Sequence, residues 1–186
     1  MNRDCSDACT RLAEIRMDQE SRLPKSVFEL ELKTLGGTPF SFSDELQGKV
    51  TVIVNVASYC GYTESHYKGL VELWSQLKEN ENNNVQILAF PCNQFGKQEP
   101  GSAADIAKFV ADKGVEFTMM EKVDVNGPNT SLLYLYLKHK TGVSNIKWNF
   151  ATYFIIGPTG DVTAHSGVEP LGLKDSIFEL LGKEEL

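Results

Sequence analysis

The chain has 186 residues and a formal charge of −7, with 41% hydrophobic and 23% charged residues. That length and balance predict one globular domain with a substantial core. The acidic surplus, without a dense Lys/Arg cluster, argues against nucleic acid and anionic membranes as partners; no apolar run is long enough to cross a bilayer.

Residues 1–24 read as a polar, partly helical lead-in closed by Pro24, ahead of a domain spanning 25–186. Phe28, Leu30 and Leu32 alternate with Glu29, Glu31 and Lys33, which predicts a half-exposed strand over 27–33. Gly36-Gly37-Thr38-Pro39 turns the chain, and Phe40 and Phe42 restart the alternation as a β-hairpin. Residues 49–58 are apolar at nearly every position, the pattern of a strand buried on both faces. Tyr67, Leu70, Val71, Trp74 and Leu77 then follow helical spacing until Glu81-Asn82-Asn83-Asn84. A second buried strand runs from Val85 to Phe90, so strand, helix, strand predicts a right-handed parallel crossover.

Ser102 and Asp105 form a capping pair for a helix carrying Ile106, Phe109 and Val110. Asn126-Gly127-Pro128-Asn129 starts another, bearing Leu132, Leu133, Tyr136 and Leu137. Tyr153 to Ile156 and Val162 to His165 pair around the turn Gly157-Pro158-Thr159-Gly160-Asp161, and Ile177, Leu180 and Leu181 mark a last helix ending at Gly182. The sum is an α/β, thioredoxin-like fold: a central mixed sheet flanked by helices, with an N-terminal β-hairpin.

The four cysteines, Cys5, Cys9, Cys60 and Cys92, are too few for a disulfide scaffold. Cys5 and Cys9 read as an incidental pair or a labile disulfide, and His66, His139 and His165 stand too far apart in sequence to complete a metal site. Cys60 differs from the rest. It follows the 49–58 strand and precedes a helix start, where backbone N–H groups and the positive end of a helix dipole favour the thiolate, the reactive form. The alternative for any free cysteine is a small buried hydrophobe. Catalysis in open parallel sheets gathers at the carboxyl ends of strands, and Cys60 and Cys92 each lie just past one. Asn93 and Gln94 follow the second buried strand, and Trp148 and Asn149 are expected immediately before the third, so neutral donors are placed around a sulfur that would attack a peroxide.

Asn55-Val56-Ala57-Ser58-Tyr59-Cys60-Gly61-Tyr62-Thr63, Phe90-Pro91-Cys92-Asn93-Gln94-Phe95-Gly96 with Gln98-Glu99-Pro100-Gly101, and Trp148-Asn149-Phe150 resemble the three signature segments of the glutathione peroxidases. Lys122-Val123-Asp124-Val125-Asn126-Gly127 adds a fourth match, and the resemblance runs from about Val27 to Leu181. It implies a peroxidase without a cofactor, in which Cys60 takes the peroxidatic position and Gln94, Trp148 and Asn149 the rest of the catalytic tetrad. The implied cycle passes from thiolate to sulfenic acid to disulfide and back, with hydrogen peroxide and organic or lipid hydroperoxides as substrates and a role in the response to oxidative stress.

Several departures refine this. Many members carry selenocysteine where this chain has Cys60, so slower reaction is expected. The helix Ile106 to Lys113 lacks the resolving cysteine of thioredoxin-dependent members, and the short connection from Asn129 to Trp148 is similar to the monomeric branch. In the endoplasmic-reticulum branch (glutathione peroxidases 7 and 8) a cysteine placed like Cys92 is implicated in resolving the sulfenic acid; structural burial is the other reading here. That branch implies glutathione or a protein disulfide isomerase as reductant. Lys183-Glu184-Glu185-Leu186 is close to a Lys-Asp-Glu-Leu retention address, which points to the lumen of the endoplasmic reticulum. The charged first twenty residues exclude an apolar signal core, so lumenal residence requires a signal segment outside this chain, and a cytoplasmic location is the alternative.

Lys97 stands where the family often has glycine; it and Tyr59 receive no role, and His66 is expected on a helix surface. Two other functions fit a lone reactive cysteine. A thiol–disulfide oxidoreductase is disfavoured because Thr63 occupies the second position of a Cys-x-x-Cys motif. A redox relay or sensor would pass oxidation of Cys60 to a partner protein with little turnover.

Overall fold

The computed structural model describes Thr10, Met17 and residues 21–80 and 84–182. Cys5, Cys9, most of the expected lead-in, the helix-breaking residues 81–83 and the terminal tetrapeptide 183–186 lie outside the described residues.

A small antiparallel ribbon pairs β1 (Glu31–Lys33) with β2 (Pro39–Ser41). The expected strand over 27–33 is shorter than its alternation suggests. Val27–Glu29 forms a 3₁₀ turn because the Ser26 hydroxyl accepts from the Phe28 N–H at 3.3 Å. Phe42 likewise leaves the hairpin to open α1 (Phe42–Leu46), since Ser41 caps it by accepting from the Asp44 N–H. In both places a serine cap overrides the apolar alternation.

The central sheet has five strands in the order β5-β4-β3-β6-β7. β3 (Val50–Val56) is buried throughout, and after α2 (Thr63–Asn80) the chain returns as β4 (Val85–Pro91), parallel to β3 in the register Val56↔Pro91. After α3 (Ala103–Asp112), whose Ser102–Asp105 capping box is complete, comes the short strand β5 (Thr118–Met119), which sequence patterning did not reveal. α4 (Leu132–Thr141) begins after its cap Ser131 rather than at 126–129, where a Gly127–Thr130 turn comes first. β6 (Thr152–Ile156) runs antiparallel to β3, with Val54↔Tyr153, and pairs with β7 (Val162–Ser166) before α5 (Lys174–Gly182). This is the expected thioredoxin-like arrangement.

The two sheet faces bury separate cores. α2, α3 and α5 cover one, around Leu70, Leu73, Ile106 and Ile177 with Val52, Val54 and Ile155 from the sheet. α1 and α4 cover the other, around Phe42, Leu133, Leu137 and Phe154. α2 also approaches the 3₁₀ turn Pro170–Leu173 so closely that a Cβ on Gly69 would come within 3.0 Å of the Pro170 ring. Glycine is favoured there by close contact rather than by conformation.

Candidate active site

Because β3 and β4 are parallel and β6 is antiparallel to them, the carboxyl ends of the first two and the amino end of the third fall at one edge of the sheet. Cys60, Gln94, Trp148 and Asn149 come from the segments at that edge.

Between β3 and α2 the chain makes a loop built on Thr63. Its hydroxyl accepts from the Cys60 N–H at 3.0 Å and donates to the Ala57 carbonyl at 2.6 Å, while its own N–H donates to the Cys60 carbonyl. The residue that breaks a Cys-x-x-Cys motif thus ties the cysteine loop. Cys60 lies in this loop, three residues before α2, with 7% of its surface exposed, between the far more exposed Tyr59 and Tyr62.

The segment after β4 grips this loop. The Tyr59 N–H donates to the Gln98 carbonyl, and the Ser58 hydroxyl donates to Glu99 Oε1 at 2.8 Å. Asn93 accepts from the Glu99 N–H, and the Lys122 ammonium donates to the carbonyls of Glu99 and Gly101. Glu99 is fully buried, and that burial raises its pKa against the opposing Ser58 hydrogen bonds and the Lys122 charge. Its Oε2 and the nearby Tyr67 hydroxyl are buried without a hydrogen-bond partner.

Trp148 and Asn149 are held from β3. The Asn55 amide donates to the Trp148 carbonyl at 3.3 Å and to Asn149 Oδ1 at 3.2 Å, and the Asn55 carbonyl accepts from the Phe150 N–H. Asn149, wholly buried, donates in turn to Gln98 Oε1. Trp148 is 38% exposed and lies against Phe95 with ring centroids 5.6 Å apart. These residues do not abut β6 directly as the sequence suggests. Phe150 and Ala151 intervene, and Phe150 has φ +63°, a left-handed conformation that costs a non-glycine residue about 1–2 kcal/mol.

Gln94 is engaged differently. Its Oε1 accepts from the N–H groups of Val125 and Asn126, and its Nε2 donates to the Asn126 carbonyl. Asn126 then exchanges two hydrogen bonds with Ile146, which links the Gln94 loop to the chain entering Trp148. Among the described residues, no hydrogen bond connects the Gln94 side chain to Cys60, Trp148 or Asn149. The anchors Asn55, Asn126, Gln98 and Glu99 received no role from the sequence. All four stand in segments that carry the family resemblance, and Asn55 is in addition an amide inside an otherwise apolar strand.

Cys92 follows β4 but belongs to the other core. It is fully buried among the cluster that holds Phe90, Tyr134 and Phe154, whereas Cys60 packs with Tyr67, Phe150 and Tyr153. Burial pushes the Cys92 thiol up in pKa, the Gln94 and Val125 hydrogen bonds oppose this, and the charges of Asp124 and Glu99 reinforce it. Both thiols are free.

His66 is not on the surface as expected. It is 5% exposed, its Nδ1 shares a hydrogen bond of 2.6 Å with the Tyr153 hydroxyl, and its Nε2 lies 3.7 Å from Glu169 Oε1. Burial lowers its pKa, partly offset by Glu169. With Tyr62, Trp148, Phe150, Val168 and Glu169 it lines a cavity of about 370 Å³.

Among the described residues, no group of three or more His, Cys, Asp or Glu side chains converges as for a metal, and no helix is long and apolar enough to cross a membrane.

Comparison with known proteins gives a consistent result. The family model described as Glutathione peroxidase matches residues 27–138. A probable glutathione peroxidase 2 from Arabidopsis thaliana is 42% identical over 86% of this chain and 95% of its own length. A glutathione peroxidase-like peroxiredoxin 2 from Saccharomyces cerevisiae is 45% identical over 85% of this chain and 98% of its own. The crystal structure of Trgpx in its apo form superposes with a TM-score of 0.69 at 32% identity, covering 85% of this chain and 96% of that one.

Proposed function

Because the chain belongs to the glutathione peroxidase family, we infer that it is a thiol-dependent peroxidase, an oxidoreductase that reduces hydroperoxides through Cys60. The observation that carries the assignment of Cys60 is its place: a free thiol just ahead of α2, in a loop fixed by Thr63 and by the Gln98–Glu99 segment. The thiolate attacks one peroxide oxygen; an S–O bond forms, the O–O bond breaks, and the departing oxygen takes a proton to leave as water or an alcohol. A thiol then attacks the sulfenic sulfur, water leaves, and a mixed disulfide remains. A second thiol frees Cys60 and carries away the disulfide.

Gln94, Trp148 and Asn149 supply donors for the sulfur and the departing oxygen. An amide nitrogen carries two N–H groups. One each is committed, to Asn126 from Gln94 and to Gln98 from Asn149, which leaves the other for the reaction. For Cys92 to resolve the sulfenic acid its thiol has to leave the core opposite to the one that holds Cys60; an external thiol needs no such movement.

The finer assignments belong to the same proposal. Cys92 and the terminal tetrapeptide support the endoplasmic-reticulum branch, a protein disulfide isomerase as reductant and lumenal residence, and the short 129–148 connection supports a monomer. Relocation of a tagged protein on deletion of residues 183–186 tests the address.

Stopped-flow fluorescence of the reduced protein with hydrogen peroxide tests the chemistry. A fast phase absent from Cys60→Ser, with sustained turnover on added thiol, is expected. Equal responses of wild type and Cys60→Ser overturn it.

A further inference from the structure

Phe150 raises a question that hydrogen bonding to Asn55 does not answer. A bulky residue at φ +63° persists only where its surroundings over-determine it. Its ring is met by two neighbours from α2: His66 at 5.3 Å between centroids and Tyr67, edge-on, at 5.6 Å. Tyr67 is wholly buried in close packing. His66 borders the 370 Å³ cavity, so packing alone does not fix it. Tyr62 meets its ring edge-on at 5.5 Å, and Glu169 Oε1 lies 3.7 Å from Nε2. Among the described residues, however, the one short hydrogen bond on the ring is that of 2.6 Å shared with the hydroxyl of Tyr153, whose own ring lies nearly parallel to the imidazole (8°) with centroids 6.0 Å apart.

We propose that His66 is a positioning residue for the peroxidase site: its ring, held by the Tyr153 hydroxyl, keeps Phe150 in the left-handed conformation that aims Trp148 and Asn149. The link to catalysis rests on the roles assigned above to those two residues. The device spans three elements, since His66 lies on the helix that follows Cys60, Tyr153 on β6, and Phe150 on the segment that enters β6. It therefore couples the helix that follows Cys60 to the segment that carries Trp148 and Asn149 through one buried hydrogen bond.

The test uses the full chain carrying Trp74→Phe, which leaves Trp148 as the one tryptophan. Tyr153→Phe removes a single oxygen; His66→Phe keeps an aromatic ring but loses the hydrogen bond. Both are expected to change the emission maximum and acrylamide quenching of Trp148 in the reduced protein, before any peroxide is added. Both are expected to slow oxidation of Cys60 roughly tenfold, and the double variant is expected to be no slower than the slower single one. Trp148 emission and quenching that match the parent in both variants overturn the proposal, as does a double variant whose loss is the product of the two single losses. A moved Trp148 with an unchanged oxidation rate upholds the positioning and overturns the catalytic role of Trp148 instead.

Discussion

Cys60 stands four residues and Cys92 one residue beyond the carboxyl ends of adjacent parallel strands, yet their surroundings differ in kind. Cys60 lies in the loop three residues before α2, with that loop tied by Thr63 and the chain before it held by Gln98 and Glu99. Cys92 drops into the opposite core, where burial raises its pKa. The difference teaches that two cysteines just past neighbouring strand ends can lie in opposite cores, so the face on which a side chain emerges decides which of them is placed to meet peroxide first.

The comparison breaks most sharply at the sulfurs. Cys60→Ser is expected to slow reaction with peroxide at least a thousandfold, the scale on which loss of a nucleophile acts. Cys92→Ser is expected to leave that first step within about twofold, as measured by initial rates of peroxide consumption. Next comes the anchoring of the donors. Asn55→Leu removes both amide hydrogen bonds to the 148–149 segment and is expected to destabilise by about 2 kcal/mol, read by denaturant unfolding, while slowing the oxidation step.

Glu99 sharpens the comparison through pH. Its folded-state pKa is raised above the usual 4.5, so the folded chain binds the proton more tightly than the unfolded chain. Stability from this group is therefore full below about pH 4.5 and is lost as pH rises through the raised value. Glu99→Gln, which keeps a hydrogen-bonding partner for Ser58, is expected to raise Tm by ~2–4 °C at pH 7 and to change little at pH 4, by calorimetry. The smallest effect is at Lys97, which adopts φ +53° beside the same loop. Lys97→Gly relieves left-handed strain at some entropic cost and is expected to stabilise by about 0.5–1 kcal/mol in denaturant unfolding.

The parts of the molecule legible in sequence are those with short-range patterns. The apolar runs of β3 and β4 and the Ser102–Asp105 box describe local structure, and the segments around Cys60, Gln94 and Trp148 carry their resemblance residue by residue. Asn55 and His66 were not legible in this way. Asn55 acts on residues 93 and 94 positions away in the chain, and its meaning exists only once β6 lies beside β3. His66 is polar and sits next to Tyr67 on α2, so helical spacing assigns the buried place to Tyr67 alone. Tyr153, hidden inside an apolar strand, is what makes a buried imidazole acceptable. The serine caps at Ser26 and Ser41 cut short the hairpin for a related reason, because one hydrogen bond redirected the backbone against its apolar pattern.

The central claim is that peroxide meets Cys60 and not Cys92. Treating the reduced protein with one equivalent of hydrogen peroxide in the presence of a dimedone-type trap, followed by peptide mass spectrometry, measures this directly. The sulfenic-acid adduct is expected on Cys60, with Cys92 unmodified. An adduct on Cys92 while Cys60 remains a free thiol would contradict it.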